Sequence, residues 1–198
     1  RGAIMANFKQ SFPNSCGAVA LICALAELDV TQYPDGVEWG GGTGPAGGAF
    51  QPNVQAEMRV YGQVGTGVNQ LLADRGYSMP AQLAMMATTF GLPKPTIYVS
   101  PGFYGTLLTT FYAKALENAQ ALGITVVEGP MPPLQQTQRA LRVVAVMKVL
   151  GLHYVLERPD GSYMDPGDGQ NFANFDALNS SWLKSYADTG ITIVLTHA

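Results

Sequence analysis

The sequence predicts an α+β protein on three observations. An apolar helical run follows Cys16, the chain stays largely helical to about residue 130, and short β-branched and aromatic runs take over beyond it. Apolar residues fill 47% of the 198 positions and charged residues only 13%, enough for one well-buried core. A single domain, 1–198, is expected. Its helical lobe covers about 1–130 and its sheet lobe about 131–198, parted at Gly129-Pro-Met-Pro-Pro133.

Asn14 or Ser15 supplies a helix cap, and Cys16 to Leu28 then sets Ala18, Leu21, Ile22, Leu25 and Ala26 on adjoining rows, the pattern of a buried central helix. Residues 34 to 53 are dense in glycine and proline, with Gly40, Gly41 and Gly42 after Trp39 and a second pair at Gly47 and Gly48. A stretch so poor in side chains packs no core of its own and reads as a long surface loop, either a lid or a plain insertion. Helices are expected over 52–62 and 80–91, the second with Pro80 in its first turn and Gly91 as its stop. A short β-rich run, Thr96 to Ser100, precedes a helix from Thr106 to Leu122. The strands of the second half are Arg142 to Val149, Leu152 to Glu157, Ser162 to Met164 and Ile191 to Thr196. The turn Pro159-Asp160-Gly161 folds two of them into an antiparallel pair.

Charge and hydropathy narrow the partners. Eleven basic and fourteen acidic residues give a net charge of −3 with no basic cluster, so no nucleic-acid partner is expected. The most apolar helical run, Gly17 to Ala26, falls well short of the ~20 residues that cross a bilayer, so a soluble protein without a membrane partner is expected. The start, Arg1-Gly-Ala-Ile-Met-Ala, has neither an initiator methionine nor the layout of a signal peptide, and reads as a processed or excised chain. Cys16 and Cys23 lie seven apart on one helix, roughly 10 Å along its axis, too far for a disulfide. Two reduced thiols suit the cytosol, or a secreted toxin that acts in the cytoplasm of a target cell.

The residues that carry chemistry begin with Cys16. A thiol at a helix N-terminus sits beside unpaired backbone N–H groups and the positive end of the dipole, both of which favour the thiolate. A small buried core residue is the other common fate of a lone cysteine, and it is the one expected of Cys23. His153 follows Cys16 by 137 positions, within the ~130 to 150 interval described for papain-type enzymes, and is the natural base. His197, next to the C-terminus, is a poor alternative. Asp165 follows the hairpin and can orient His153, with Asn171 and Asn174 as substitutes. Gln10, six residues before Cys16, can join the Cys16 backbone N–H in binding an oxyanion. The stretch Gly40 to Gly48 lacks the lysine, with serine or threonine directly after it, of a phosphate-binding loop. The two cysteines and two histidines lack paired metal spacing, so neither cofactor nor metal is expected.

Gln10, Cys16-Gly17 opening an apolar helix through Val19 and Leu21, His153-Tyr154-Val155 and Asp165-Pro166 together resemble the papain-like cysteine peptidases, closest to the bacteriocin-processing, double-glycine type. The match covers about a fifth of the chain. Ser15 stands where that group often has aspartate, the tryptophan that follows the papain cysteine is absent, and the gap to His153 is longer than in the exporter type. The resemblance implies a two-lobed papain-like fold, with the central helix starting at the nucleophile and the antiparallel sheet lobe carrying the base. It also implies a Cys16, His153 and Asp165 triad with Gln10 at the oxyanion hole, hydrolysing a protein substrate through an acyl-enzyme. A bacterial toxin or effector domain, with an immunity or inhibitor protein as partner, fits the resemblance. The same triad serves a glutamine deamidase, a transglutaminase or a cell-wall amidase, and a binding module without activity is the remaining alternative.

Overall fold

The computed structural model describes residues 5–39, 47–67, 70–100, 109–149, 151–181 and 183–198. The central helix, α1 (Cys16–Glu27), is built of small and apolar side chains, and every residue but Ala26 is buried. A helix apolar all round must lie inside the protein. It packs on the sheet on one side and on α2 (Val54–Val64) and α3 (Pro80–Thr89) on the other. Gly17 permits the closest approach, because a Cβ there would stand 3.1 Å from both the Leu83 and Tyr154 side chains.

The sheet contains β1 (Thr96–Val99), β2 (Thr125–Glu128), β3 (Gln138–Val146), β4 (Gly151–Glu157), β5 (Tyr163–Asp165), β6 (Gln170–Phe172) and β7 (Tyr186–Thr196), in the order β2-β1-β7-β3-β4-β5-β6. All neighbours are antiparallel except β1 and β2, whose parallel pairing runs through the crossover helix α4 (Thr109–Ala121). Because β1 pairs with β7 and β2 pairs with β1, strands from before residue 130 belong to the same sheet as those after it. The helical and sheet layers are therefore not consecutive halves of the chain. The expected start of the crossover helix, 106–108, lies outside the described residues.

Two sequence expectations are corrected here. Ser15 occupies the cap position of α1 but its side chain does not cap the helix, and Asn14 Nδ2 donates instead to Arg75 O. The glycine-rich stretch is also not without a core: Trp39 and Phe50 at its flanks are buried and, with Tyr33 and Phe90, form a cluster of ring contacts at 5.2 to 6.0 Å. Four large aromatic residues offset the scarcity of other side chains. Residues 40–46, the middle of that stretch, lie outside the described residues.

Strand β3 starts earlier than its apolar run suggests, because Arg139 is buried by a specific partner. Glu27, at the end of α1, accepts from Arg139 Nε at 2.8 Å and pairs with Arg158 Nη2 at 2.9 Å, with both arginines and the carboxylate almost fully buried. The Ala6 N–H joins the carboxylate at 3.1 Å, and Arg158 reaches Ala6 O and Asn171 Oδ1. This cluster ties the N-terminal segment, α1, β3 and the β4–β5 hairpin together. Removing the carboxylate that both guanidinium groups bond leaves them buried without it, so Glu27→Ala is expected to cost about 3 to 5 kcal/mol in a urea denaturation measurement. A loss below about 1 kcal/mol would show that the cluster contributes little to stability.

The hairpin turn works as its sequence suggests. Gly161 adopts φ 82, and Asp160 Oδ1 accepts from the Ser162 N–H at 2.9 Å, which closes the turn between β4 and β5. One sheet face is covered by α1 and its neighbours. On the other, Val144, Val155, Tyr163 and Leu178 form a smaller core under α5 (Phe175–Leu178).

Candidate active site

Cys16 is the first residue of α1, where the leading N–H groups have no intrahelical acceptor. The turn before it is fixed by a buried carboxylate. Glu57 on α2 is fully buried and accepts from the Ser11 N–H at 2.7 Å and from Ser15 Oγ at 2.6 Å. Ser15 Oγ is thus spent on holding the approach to the thiol, which explains why it does not cap the helix.

His153 lies in the middle of β4, and the next residue, Tyr154, faces the other way, with its ring against Gly17. The hairpin pairs Leu156 with Met164 and Glu157 with Tyr163. Carried one step further, that register sets Asp165 across from Val155, on the same face as His153. The observed contact follows: His153 Nε2 to Asp165 Oδ1 is 2.6 Å. With Nε2 engaged, Nδ1 remains for the second partner of the ring, the Cys16 thiol.

Asp165 is fully buried and surrounded by donors. Oδ1 accepts from the Gly167 N–H at 2.8 Å and Oδ2 from Tyr186 Oη at 2.9 Å. Lys184 Nζ stands 3.0 Å from Oδ2 and 2.8 Å from Asp168 Oδ2, an ion pair rather than a pair of directed hydrogen bonds. Burial alone would raise the Asp165 carboxyl. The hydrogen bond and charge of His153, then the Gly167 N–H and Lys184, more than offset it and hold the group far below the usual carboxylate range. Burial likewise works against a charged His153, but the negative charge at Cys16 and the hydrogen bonds to Asp165 and Cys16 raise it to about 10. The Asp165 carboxylate and the Cys16 side chain thus both favour the protonated form of the His153 ring.

Tyr186 and Lys184 are site residues that the sequence did not disclose. The Tyr186 ring lies 5.3 Å from the His153 ring, so this one residue covers the imidazole and donates to the Asp165 carboxylate. Tyr186 reaches the site through the pairing of β7 with β3, which sets it opposite Val146, and Lys184 lies two residues before that strand. No spacing in the chain signals that. Gly167 leaves room for the His153 and Asp165 contact, since a Cβ there would stand 3.1 Å from Asp165 Oδ1.

The other expected residues are placed as follows. Gln10 lies beside the aspartate turn, its N–H donating to Pro166 O at 2.8 Å. Its side-chain amide donates to Phe12 O at 2.8 Å and Pro13 O at 3.0 Å, so both amide hydrogens are committed within its own turn. Asn171 accepts from Arg158 and Asn174 caps α5, so neither orients the histidine. Cys23 and Cys16 are both free thiols. Burial, then the Glu27 charge, pushes the Cys23 thiol far above its ordinary value, as suits a core residue. His197 sits 3.4 Å from Asp29, beyond the opposite end of α1 from Cys16.

A thiol at the head of a buried helix, facing a histidine and an aspartate on an antiparallel sheet, is the arrangement of a cysteine peptidase of α+β, papain-like type. The comparison with known proteins gives the particular family. Residues 8–198 match the family described as invasion plasmid antigen J, cysteine protease, and the chain belongs to that family. It is 32% identical over 206 residues to the cysteine protease IpaJ of Shigella flexneri, a match that covers 96% of this chain and 77% of that protein. No solved structure matches the chain. The protein is accordingly a cysteine protease, a thiol hydrolase that acts on protein substrates.

Proposed function

We propose that one catalytic domain hydrolyses peptide bonds with Cys16 as nucleophile, His153 as acid and base, and Asp165 as the group that orients His153; Gln10, expected at the oxyanion hole, has both amide hydrogens bonded to Phe12 O and Pro13 O and is not assigned that role. The observation that carries this reading is the His153 ring held between Asp165, at 2.6 Å, and the Cys16 thiol. The Cys16 thiolate attacks the carbonyl carbon, and the carbonyl oxygen takes the negative charge against the Cys16 N–H. The C–N bond breaks as His153 passes its proton to the leaving amine, which gives a thioester. His153, now neutral, takes a proton from water; the water oxygen displaces the thiolate, and the acid product leaves. Asp165 keeps one tautomer and one ring orientation through both halves.

The biological setting we infer is that of a bacterial effector or toxin domain, secreted and acting in the cytoplasm of a target cell. A dedicated immunity or inhibitor protein is the partner expected to close the cleft. Support comes from the named relative, an invasion plasmid antigen family protease of Shigella flexneri. Among the described residues no helix is long and apolar enough to cross a membrane.

Intact-mass analysis of proteins treated with active and Cys16→Ala enzyme tests the reaction. New N-termini and split masses that appear only with the active enzyme are expected. Substrates left whole but heavier by about one dalton would replace proteolysis with deamidation.

A further inference from the structure

With both Gln10 amide hydrogens committed to Phe12 O and Pro13 O, the developing oxyanion has the Cys16 N–H and one place unfilled. A second segment approaches the same end of α1. Asn14 Nδ2 donates to Arg75 O at 2.9 Å, and Tyr154, whose ring rests on Gly17, donates through its hydroxyl to Ser78 O at 2.7 Å. Residues 75–78 are held on their far side as well. Tyr61 Oη donates to Arg75 O and Gly76 O, the Gly76 N–H to Thr66 O, and Thr66 Oγ1 to Tyr77 O.

Tyr77 sits in the middle of this fixed segment and is 38% exposed. Its side chain extends to the start of β4, where a Cβ on Gly151, two residues before His153, would stand 3.5 Å from Tyr77 Oη. Among the described residues that hydroxyl has no hydrogen-bond partner. Among the described residues the neighbouring tyrosine hydroxyls are spent: Tyr61 and Tyr154 donate to backbone, and Tyr186 donates to Asp165. A rigid backbone tied to the head of α1 through Asn14, under a half-exposed, unused donor that reaches the start of β4, is the preorganisation that oxyanion binding needs. Burial and then the negative charge at Cys16 push the Tyr77 hydroxyl up, so it stays protonated and able to donate.

We propose that Tyr77 is a further catalytic residue, whose hydroxyl donates to the oxygen of the scissile carbonyl as that oxygen becomes negative. This rests on the reading of Cys16 and His153 as nucleophile and base. The interaction exists only once charge has developed, so its loss falls on kcat and leaves KM in place.

Tyr77→Phe keeps the ring and removes the donor. The expected result is a kcat lower by about 10- to 100-fold, with KM within about twofold. A peptide aldehyde, whose adduct with the thiol carries the same oxygen, should bind at least about 10-fold more weakly. Alkylation by iodoacetamide forms no oxyanion, so its rate should equal that of the unaltered enzyme. An unchanged kcat would overturn the proposal. So would a change confined to KM, or a parallel fall in alkylation, which would mean that Tyr77 acts through the thiol or the fold. Full activity of Cys16→Ala would instead remove the underlying reading, whatever Tyr77→Phe does.

Discussion

Cys16→Ala is expected to lower peptide-bond hydrolysis by at least about 10⁴-fold while leaving the fold in place. The site contains no replacement thiol, because Cys23 lies two turns further along α1, buried and held neutral. Alanine suits the first turn of a helix, and removing one sulfur from the end of the core should cost no more than about 1.5 kcal/mol. Residual activity would come from whatever the remaining groups do to water. The imidazole should respond too. The Cys16 charge is the foremost influence raising His153, so in Cys16→Ala the histidine should lose its proton at a lower pH than the approximately 10 of the intact site. A titration followed by NMR would register that shift, and an unchanged His153 would mean that the two side chains are not partners.

Asp165→Asn should cost between about 10² and 10⁴ in kcat, although the side chains have nearly the same shape. The two carboxylate oxygens receive His153, the Gly167 N–H and Tyr186 Oη, with Lys184 alongside. An amide offers one oxygen and one NH₂ to a cavity that contains only donors. Either the NH₂ meets Tyr186 and Lys184, or it meets His153 Nε2 and imposes the wrong tautomer. The pH profile gives the sign. His153 is raised, so the proton that serves the leaving amine is present below its pKa and lost as pH climbs toward about 10. Without the Asp165 charge and hydrogen bond, the alkaline limb should move to lower pH.

Stability follows the same linkage. The raised His153 contributes stability that is complete below its unfolded value of about 6.5 and disappears as pH rises through about 10. Asp165 is depressed, so its contribution is present above the ordinary carboxyl value of 3.8 and is lost as pH falls below that. An Asp165→Asn variant should lose both contributions, which a pair of urea titrations at neutral and acid pH can separate. A kcat within about threefold of the intact enzyme would show that Asp165 does not orient the base.

The parts of the site that were legible in the sequence are those fixed by local rules. Cys16 is identified by an apolar helix beginning at a polar turn, and His153 with Asp165 by a hairpin whose turn residues are unambiguous. The parts that were not legible depend on long-range register. Tyr186 arrives through β7, with Lys184 just ahead of it, and that strand starts several residues before its apolar stretch because Tyr186 to Gly190 is mostly polar or small. Strand β2 is four residues long and mostly exposed, so it carries no alternating pattern to announce a parallel pair. Arg139 lies before the strand expected from Arg142 onward, because its burial depends on Glu27, 112 positions away. Gln10 shows the same limit at short range. Spacing placed it beside the site, but the direction of its amide depends on carbonyls at Phe12 and Pro13 that only the folded turn presents.

The central claim is that the Cys16 thiol, paired with His153, is the nucleophile. Limited treatment with iodoacetamide, with peptide mapping and residual activity followed together, tests it most directly. The predicted result is alkylation confined to Cys16, with activity lost in proportion and Cys23 unmodified. Hydrolysis that persists at full rate with Cys16 fully alkylated would contradict it.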